Sequence, residues 1–270
     1  MHTLSRQIRF TVDPFAKEQV EGFNSYACKP TGDGFGVYLA LWVDLAGELD
    51  ADTGFVINVS EIDKLVRMRV IPKITRSIQA FFANRKTPTL WDMTALLGTC
   101  RPVIETGFPD KKFEQLRLDL NPFRTITITS EDADMFTFCE KFEFAAMHQL
   151  WNEKFDEKTN FEMFGKCANP AGHGHNYVLE VHVQSAIEEV NAGWVSSYQQ
   201  TVKEGFLDLV DHKNLNVDVA GFESMNPTVE NLAYFAWEKL EGKFKNSTLV
   251  KIIVWENDRT YCSYTKQKRS

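Results

Sequence analysis

The segment GKCANPAGHGHNYVLEVHV, residues 165–183, brings a thiol, two histidines and an alternating apolar run into one short stretch. The alternation in its second part is typical of a β-strand that buries one face. His173 and His175 are two residues apart, so in an extended chain both imidazoles leave the face that also carries Tyr177. The segment therefore predicts a strand that presents a histidine pair close to Cys167.

A second alternating run, FEFAAMH at residues 142–148, places His148 on the same strand face as Phe144. If this strand pairs with the first, His148 converges with His173 and His175. Zinc readily takes three protein nitrogens and keeps a fourth position open in catalytic sites. The two runs together predict a zinc site on a strand pair.

The neighbouring thiol leaves two interpretations of this site. Thiolate also suits zinc, so Cys167 as a fourth ligand would close the site and make it structural. As a free thiol, it would leave the fourth position open for chemistry. Five of the six histidines lie between residues 148 and 212, which favours a local function. His182 and His2 fit the commoner role of a satisfied polar group in the core.

The composition indicates a globular protein and excludes several classes of partner. The 270 residues are 43% hydrophobic, enough for one large domain or two modules of about 130 residues. Residues 1–135 carry 16 Lys/Arg against 18 Asp/Glu, and residues 136–270 carry 14 against 19, so neither half has the basic stripe that nucleic acid requires. No apolar run could span a membrane, and no signal peptide is recognisable. Five cysteines fit a reducing cytoplasm, so we expect a cytoplasmic protein without nucleic-acid or membrane partners.

An internal repeat divides the chain. A shift of 140 residues sets residues 26–43 against 166–183, and a shift near 139 sets 87–97 against 226–236. The first register aligns three pairs of turn residues: Pro30 with Pro170, Gly32 with Gly172, and Gly34 with Gly174. Chance similarity is the alternative explanation for so divergent a repeat.

The predicted elements follow the same division. Helical spacing occurs at 60–84, with a break at Pro72, at 196–210 and at 228–243, and alternating strands at 124–130 and 250–257. Each half thus reads strand, strand, helix, helix, strand, strand. The predicted fold is α+β, with tandem modules at 1–135 and 136–270, each a four-stranded antiparallel sheet with two helices on one face.

The first copy lacks the chemical groups of the second. Asp33 and Phe35 stand where the second copy has its histidine pair, and Ala27 stands opposite the thiol. Trp91 and Asp92 replace Glu230 and Asn231. Residues 1–135 are therefore interpreted as a degenerate, non-catalytic module, either a scaffold or one wall of a shared site.

Other polar residues of the second half have both a chemical and a plain structural interpretation. Adjacent Asp211 and His212 in VDHKNLN could tune an imidazole for proton transfer, or form a loop with a helix-terminal histidine. Glu230 lies in the first turn of a helix, where the helix dipole alone favours a carboxylate. Glu256 ends the strand IIVWE, either solvated or accepting two parallel N–H bonds from a heterocycle.

The second half contains, in this order, FEFAAMH, GKCANPAGHGHNY, VDHKNLN, NPTVEN and the strand-end Glu256. These segments and their order resemble the 6-pyruvoyl-tetrahydropterin synthases over about residues 136–265. The resemblance implies the tunnelling fold, with modules assembled into multi-subunit barrels, and so a homo-oligomer. It also implies 7,8-dihydroneopterin triphosphate as substrate and 6-pyruvoyl-tetrahydropterin as product, made by a carbon-oxygen lyase that eliminates triphosphate.

The resemblance further implies a role for each matching residue. Zinc (Zn2+) would be held by His148, His173 and His175. Cys167 would abstract a proton, with Asp211 and His212 completing the relay. Glu256 would anchor the pterin, helped by Thr228 and Glu230.

Some positions depart from the family pattern and keep alternatives open. The turn GWVSSYQQ at 193–200 and Asn257 after Glu256 differ from the commoner residues, which weakens the substrate assignment. A related enzyme makes 6-carboxy-tetrahydropterin in the queuosine pathway and would be a carbon-carbon lyase. The spacer between Cys167 and His173 favours the pyruvoyl product. The remaining alternative is not an enzyme but a catalytically silent scaffold that binds zinc or a pterin.

Overall fold

The structure is a computed structural model that describes residues 1–15 and 36–266. Two compact units divide the chain: Met1–Phe138 with Ser185–Ala192, and Cys139–Gln184 with Gly193–Ser270. The repeat residues from Ala27 to Phe35 lie outside the described part. The assignment of 1–135 as a degenerate module and 136–270 as a catalytic one therefore stays a prediction.

The first unit contains four antiparallel strands that pair in chain order. They are β1 His2–Val12, β2 Val37–Gly47, β3 Lys112–Asn121 and β4 Arg124–Thr129. β1 and β2 pair along their full length, from His2 opposite Gly47 to Val12 opposite Val37. Alternate apolar residues such as Leu41 are fully buried, as expected for a sheet with one covered face.

Three helices pack against the strands of this unit. They are α1 Val59–Leu65, α2 Ile71–Ala83 and α3 Leu90–Gly107. The predicted break at Pro72 is wrong, because a π-helical turn at Val66–Val70 joins α1 to α2 and the chain stays helical. Pro72 directly follows this π-helical turn, so the helix continues although Pro72 has no N–H to donate to the turn before it.

The second unit also contains four main strands that are neighbours in the sheet order. β5 Met135–His148 pairs with β6 His173–Ala186, which is followed in the sheet by β8 Ser247–Asn257 and β9 Thr260–Tyr264. The helices are α4 Glu157–Phe164, α5 Trp194–Val202, α6 Asp208–Val210, α7 Leu215–Asp218 and α8 Val229–Leu240. A short strand, β7 Lys213–Asn214, pairs in parallel with the end of β5.

The α+β fold class predicted from the sequence is confirmed; the first unit has the predicted strand-strand-helix-helix-strand-strand order, and the second has it with α4 inserted between β5 and β6 and with α6, β7 and α7 between α5 and α8. Two unpredicted details also recur. A π-helical turn follows α1 at Val66–Val70 and follows α5 at Lys203–Leu207. Thr89 caps α3 and Thr228 caps α8, each accepting a hydrogen bond from the backbone three residues on. These shared details support the tandem interpretation. α4 was not predicted.

No helix in the described ranges is both long enough and apolar enough to cross a membrane. The cytoplasmic location inferred from the cysteines stays a prediction.

Candidate metal centre and active site

Three imidazoles meet where β5 ends and β6 begins. His148 is the last residue of β5, and His173 and His175 open β6. Their candidate ligand nitrogens all lie within 4.8 Å of one another. Because β5 and β6 are neighbours in the sheet, the alternation of each strand turns these side chains toward the same face. The structure thus brings together all three histidines that the sequence singled out as metal ligands.

The backbone just before α8 fixes the tautomer of His148. Its Nδ1 lies 2.7 Å from the carbonyl oxygen of Pro227, so Nδ1 carries the proton and donates it. The lone pair of Nε2 then faces Nε2 of His173, 3.0 Å away. Two zinc-bound nitrogens at tetrahedral geometry are about 3.3 Å apart, so this spacing suits a shared cation. The sequence assigned Pro227 only to the start of a helix, so its role at His148 was missed.

The imidazole nitrogens meet the requirements of a zinc site. Nε2 of His175 is buried without a hydrogen-bond partner among the described residues. Such a nitrogen is costly to bury unless something binds it. Burial lowers the pKa of both His148 and His173, which favours the neutral imidazole that ligates metal. Three nitrogens suit zinc better than magnesium or calcium, which prefer oxygen ligands.

The carboxylate of Glu256 lies at the edge of this histidine cluster. Its Oε1 is 3.6 Å from Nε2 of His175 and 3.9 Å from Nε2 of His148. Glu256 is near the end of β8, the strand next to β6. The sequence predicted a carboxylate that anchors a heterocycle but did not predict that it would lie this close to the imidazoles.

The turn that carries Cys167 is tied to the residues just after His148. Cys167 lies in a 3-10 turn at Gly165–Ala168. Its carbonyl oxygen accepts a hydrogen bond from the N–H of Leu150 at 2.8 Å, and the Gln149 side chain donates to the carbonyl of Ala168 at 3.0 Å. Burial and the charge of Glu256 raise the pKa of the Cys167 thiol. The chain alone therefore keeps this thiol protonated, and a cation on the imidazoles would act in the opposite direction.

Gly172 allows the chain to turn sharply between the thiol and the histidine pair. Its φ is +67°, a left-handed conformation that residues with a side chain rarely adopt. A Cβ at this position would lie 3.0 Å from the carbonyl oxygen of His148. Only glycine fits here without strain, so the close approach of His173 to His148 depends on it.

Asp211 and His212 are fixed to the backbone of β5. Asp211 Oδ1 accepts the N–H of Ala145 at 2.9 Å, and the N–H of His212 donates to the carbonyl of Ala145. Nδ1 of His212 lies 2.9 Å from Asp211 Oδ1, so the carboxylate orients the imidazole. The hydrogen bond from Ala145 is the main cause that lowers the pKa of Asp211. The His212 side chain is 82% exposed, so it points to solvent and not into the histidine cluster.

Thr228 and Glu230 lie at the start of α8, directly after Pro227. The Thr228 hydroxyl accepts the N–H of Asn231 at 3.3 Å and so caps the helix. Glu230 is exposed in the first helical turn. Burial and then the charge of Glu230 raise the pKa of the Cys262 thiol on β9. The structure thus gives both residues the plain structural interpretation and leaves their predicted substrate contacts as predictions.

Comparisons with known proteins relate the second half of the chain to one enzyme family. The family model described as 6-pyruvoyl tetrahydropterin synthase matches residues 137–267. The 6-pyruvoyl tetrahydrobiopterin synthase of Homo sapiens is 34% identical over 127 residues, which make up 46% of this chain and 87% of the human protein. The chain belongs to the 6-pyruvoyl tetrahydropterin synthase family.

Other relatives also match about half of the chain. A solved structure of the Caenorhabditis elegans 6-pyruvoyl tetrahydropterin synthase is 32% identical, with a TM-score of 0.46, and covers 49% of this chain and 96% of that one. The 6-carboxy-5,6,7,8-tetrahydropterin synthase of Aquifex aeolicus is 26% identical over 156 residues, 47% of this chain and 95% of the relative. Every predicted site residue lies inside the family match, and residues 1–136 lie outside it.

Proposed function

We propose that this member of the 6-pyruvoyl tetrahydropterin synthase family is a zinc-dependent lyase that converts 7,8-dihydroneopterin triphosphate to 6-pyruvoyl-tetrahydropterin and eliminates triphosphate. The observation that carries the proposal is the convergence of His148, His173 and His175 within 4.8 Å. Glu256 lies beside that cluster, and the turn of Cys167 is fixed to the residues that follow His148. A silent scaffold would need neither the thiol nor the oriented Asp–His pair.

Each residue has a distinct task in this proposal. The three imidazoles hold zinc, which supplies Lewis-acid stabilisation to substrate oxygens when it is bound. Cys167 accepts a proton from the substrate side chain, and Glu256 accepts N–H groups from the pterin ring. Asp211 holds the Nδ1 proton of His212, which leaves Nε2 of that imidazole to receive or deliver a proton.

The exposure of His212 bears on the assembly of the enzyme. Since its imidazole points to solvent, we propose that it serves the site of a second copy in a homo-oligomer. The pterin triphosphate remains the one small-molecule partner in this proposal.

The decisive experiment is product analysis by mass spectrometry after zinc-loaded protein has been incubated with 7,8-dihydroneopterin triphosphate. Wild-type protein should release triphosphate and a pyruvoyl pterin. Cys167→Ala should keep its zinc and lose turnover by about 10² to 10⁴-fold, the usual contribution of a general base. Cys262→Ala, at a partly exposed thiol on β9, is the matched control and should turn over normally. Substrate that survives with zinc fully bound would contradict the proposal and favour a scaffold.

A second candidate is the 6-carboxy product, made by a carbon-carbon lyase. The relative from Aquifex aeolicus that carries that name is 26% identical to 47% of the chain. The same mass spectrum distinguishes the two, because a carboxy pterin differs in mass from a pyruvoyl pterin.

A further inference from the structure

A second group of metal-ligating side chains lies elsewhere in the second unit. Cys139 is on β5, and Glu180 and His182 are two residues apart on β6. Their ligand atoms lie within 4.8 Å of one another. By the alternation of each strand, they occupy the sheet face opposite His148 and His175. This group, the Cys139–Glu180–His182 cluster, is therefore separate from the candidate active site.

Neighbouring side chains hold the carboxylate of this cluster in a defined orientation. Oε1 of Glu180 accepts a hydrogen bond from the indole N–H of Trp255 at 2.9 Å and lies 3.3 Å from Nζ of Lys141. The other oxygen, Oε2, lies 3.4 Å from Nε2 of His182. One oxygen is thus anchored and the other faces the imidazole, which is how outer-shell partners orient a carboxylate ligand.

The other two ligand atoms, Nε2 of His182 and the sulfur of Cys139, belong to residues with little solvent exposure. Nε2 of His182 is buried and makes no hydrogen bond within the described ranges. The Cys139 residue is 3% exposed. Burial and then the charge of Glu180 raise the pKa of its thiol. Burial also opposes ionisation of Glu180, but His182, Lys141 and Trp255 outweigh it and lower the pKa of this carboxyl to about 2.

We propose that Cys139, Glu180 and His182 form a second metal site that binds a thiophilic divalent cation such as zinc. The cluster offers one sulfur, one nitrogen and one oxygen, each a ligand type that zinc accepts, and it leaves one position for water or a fourth ligand. The cation displaces the thiol proton as it binds, so the thiol is neutral without metal and becomes a thiolate with it. Nε2 of His182, which makes no hydrogen bond within the described ranges and lies 3.4 Å from Oε2 of Glu180, binds the cation in the same step.

The plain alternative is an ion pair between Glu180 and His182 beside an inert buried thiol. The two interpretations differ in one observable, the sulfur. A Glu–His pair does not involve Cys139, whereas a metal site bonds to it. Cobalt(II) is a useful probe because it replaces zinc in such sites and its bond to a thiolate absorbs in the near ultraviolet.

The test uses the full chain after metal removal and titration with cobalt(II). The background is His173→Asn with His175→Asn and Cys167→Ala, which removes the candidate active-site ligands and the thiol beside them. This background protein should still bind about one cobalt(II) per chain, with a thiolate–cobalt band and release of about one proton. Adding Cys139→Ser should abolish the band, and adding His182→Gln should weaken binding at least about tenfold.

Cys100→Ser, at a fully buried thiol of the first unit, is the matched control and should leave the band unchanged. A background protein that binds no cobalt(II), or one whose band survives Cys139→Ser, would overturn the second site. If Cys139→Ser fails to fold, loss of affinity in His182→Gln with the fold intact still decides the question. The result is independent of the proposed function, because the background already lacks that site.

Discussion

His148 illustrates how one residue of the metal centre is fixed from two sides. Its Nδ1 donates to the Pro227 carbonyl while Nε2 faces His173. We expect His148→Asn to lose tight zinc binding by at least about 100-fold, because it removes a ligand together with its orienting hydrogen bond. Zinc content after dialysis against a graded series of chelators measures this. His2→Asn, at an exposed histidine, should keep wild-type zinc. Equal zinc retention in both variants would contradict the assignment of His148.

Gly172 supplies a second prediction at the scale of single residues. Gly172→Ala places a methyl group 3.0 Å from the His148 carbonyl oxygen at a φ of +67°. We expect the free energy of unfolding to fall by about 1–3 kcal/mol, with weaker zinc binding. Gly242→Ala is the matched control, since its φ is +71° but nothing lies within 4 Å of the added methyl. Chemical denaturation compares the two, and equal losses would show that contact with His148 is unimportant.

At the scale of elements, the ionised carboxylate of Asp211 attaches its segment of the chain to Ala145 of β5. The hydrogen bond from Ala145 is the first cause that lowers the pKa of this carboxyl. A lowered pKa means that the stabilisation is present above the unfolded pKa, near about 3.9, and is lost as the pH falls through the folded value. Asp211→Ala should therefore lower the melting temperature at pH 7, and lower it by less at pH 3. A difference that is the same at both pH values would contradict this role.

The start of α8 gives a further prediction, because Thr228 caps the helix. Thr228→Ala should lower the free energy of unfolding by about 1 kcal/mol, whereas Thr228→Ser keeps the hydroxyl and should be nearly neutral. Thr89→Ala, at the equivalent cap of α3, should lose a similar amount. A KM that rises in Thr228→Ala and is restored in Thr228→Ser, beyond the stability loss, would indicate that the hydroxyl also contacts substrate.

The elements also show which parts of the fold the sequence could predict. Alternation located β4, β5, β6 and β8, because a strand with one buried face has a period that can be counted. It could not locate the π-helical turn at Val66–Val70, since one extra residue per turn hardly alters helical spacing over a short stretch. Pro72 was therefore mistaken for a break.

For the site, the limits of prediction follow from distance along the chain. His148, His173 and His175 were predicted because each lies on an alternating strand whose faces can be counted. The carbonyl of Pro227 and the approach of Glu256 to His175 come from segments far along the chain, and only tertiary packing brings them there. The Cys139–Glu180–His182 cluster was missed because His182 alone resembles any core histidine.

At the scale of the whole molecule, one experiment tests whether the catalytic parts come from different copies. Cys167→Ala and His212→Ala should each be inactive alone. If His212 serves a neighbouring copy, oligomers reassembled from an equal mixture of the two variants contain some complete sites. A site is complete where an intact Cys167 meets an intact His212 of its neighbour. Half of the chains carry each intact group, so we expect about a quarter of wild-type activity. If both groups act within one chain, the mixture stays inactive, because each chain then carries a defect. Product formation before and after reassembly measures this, with unmixed variants taken through the same steps as controls.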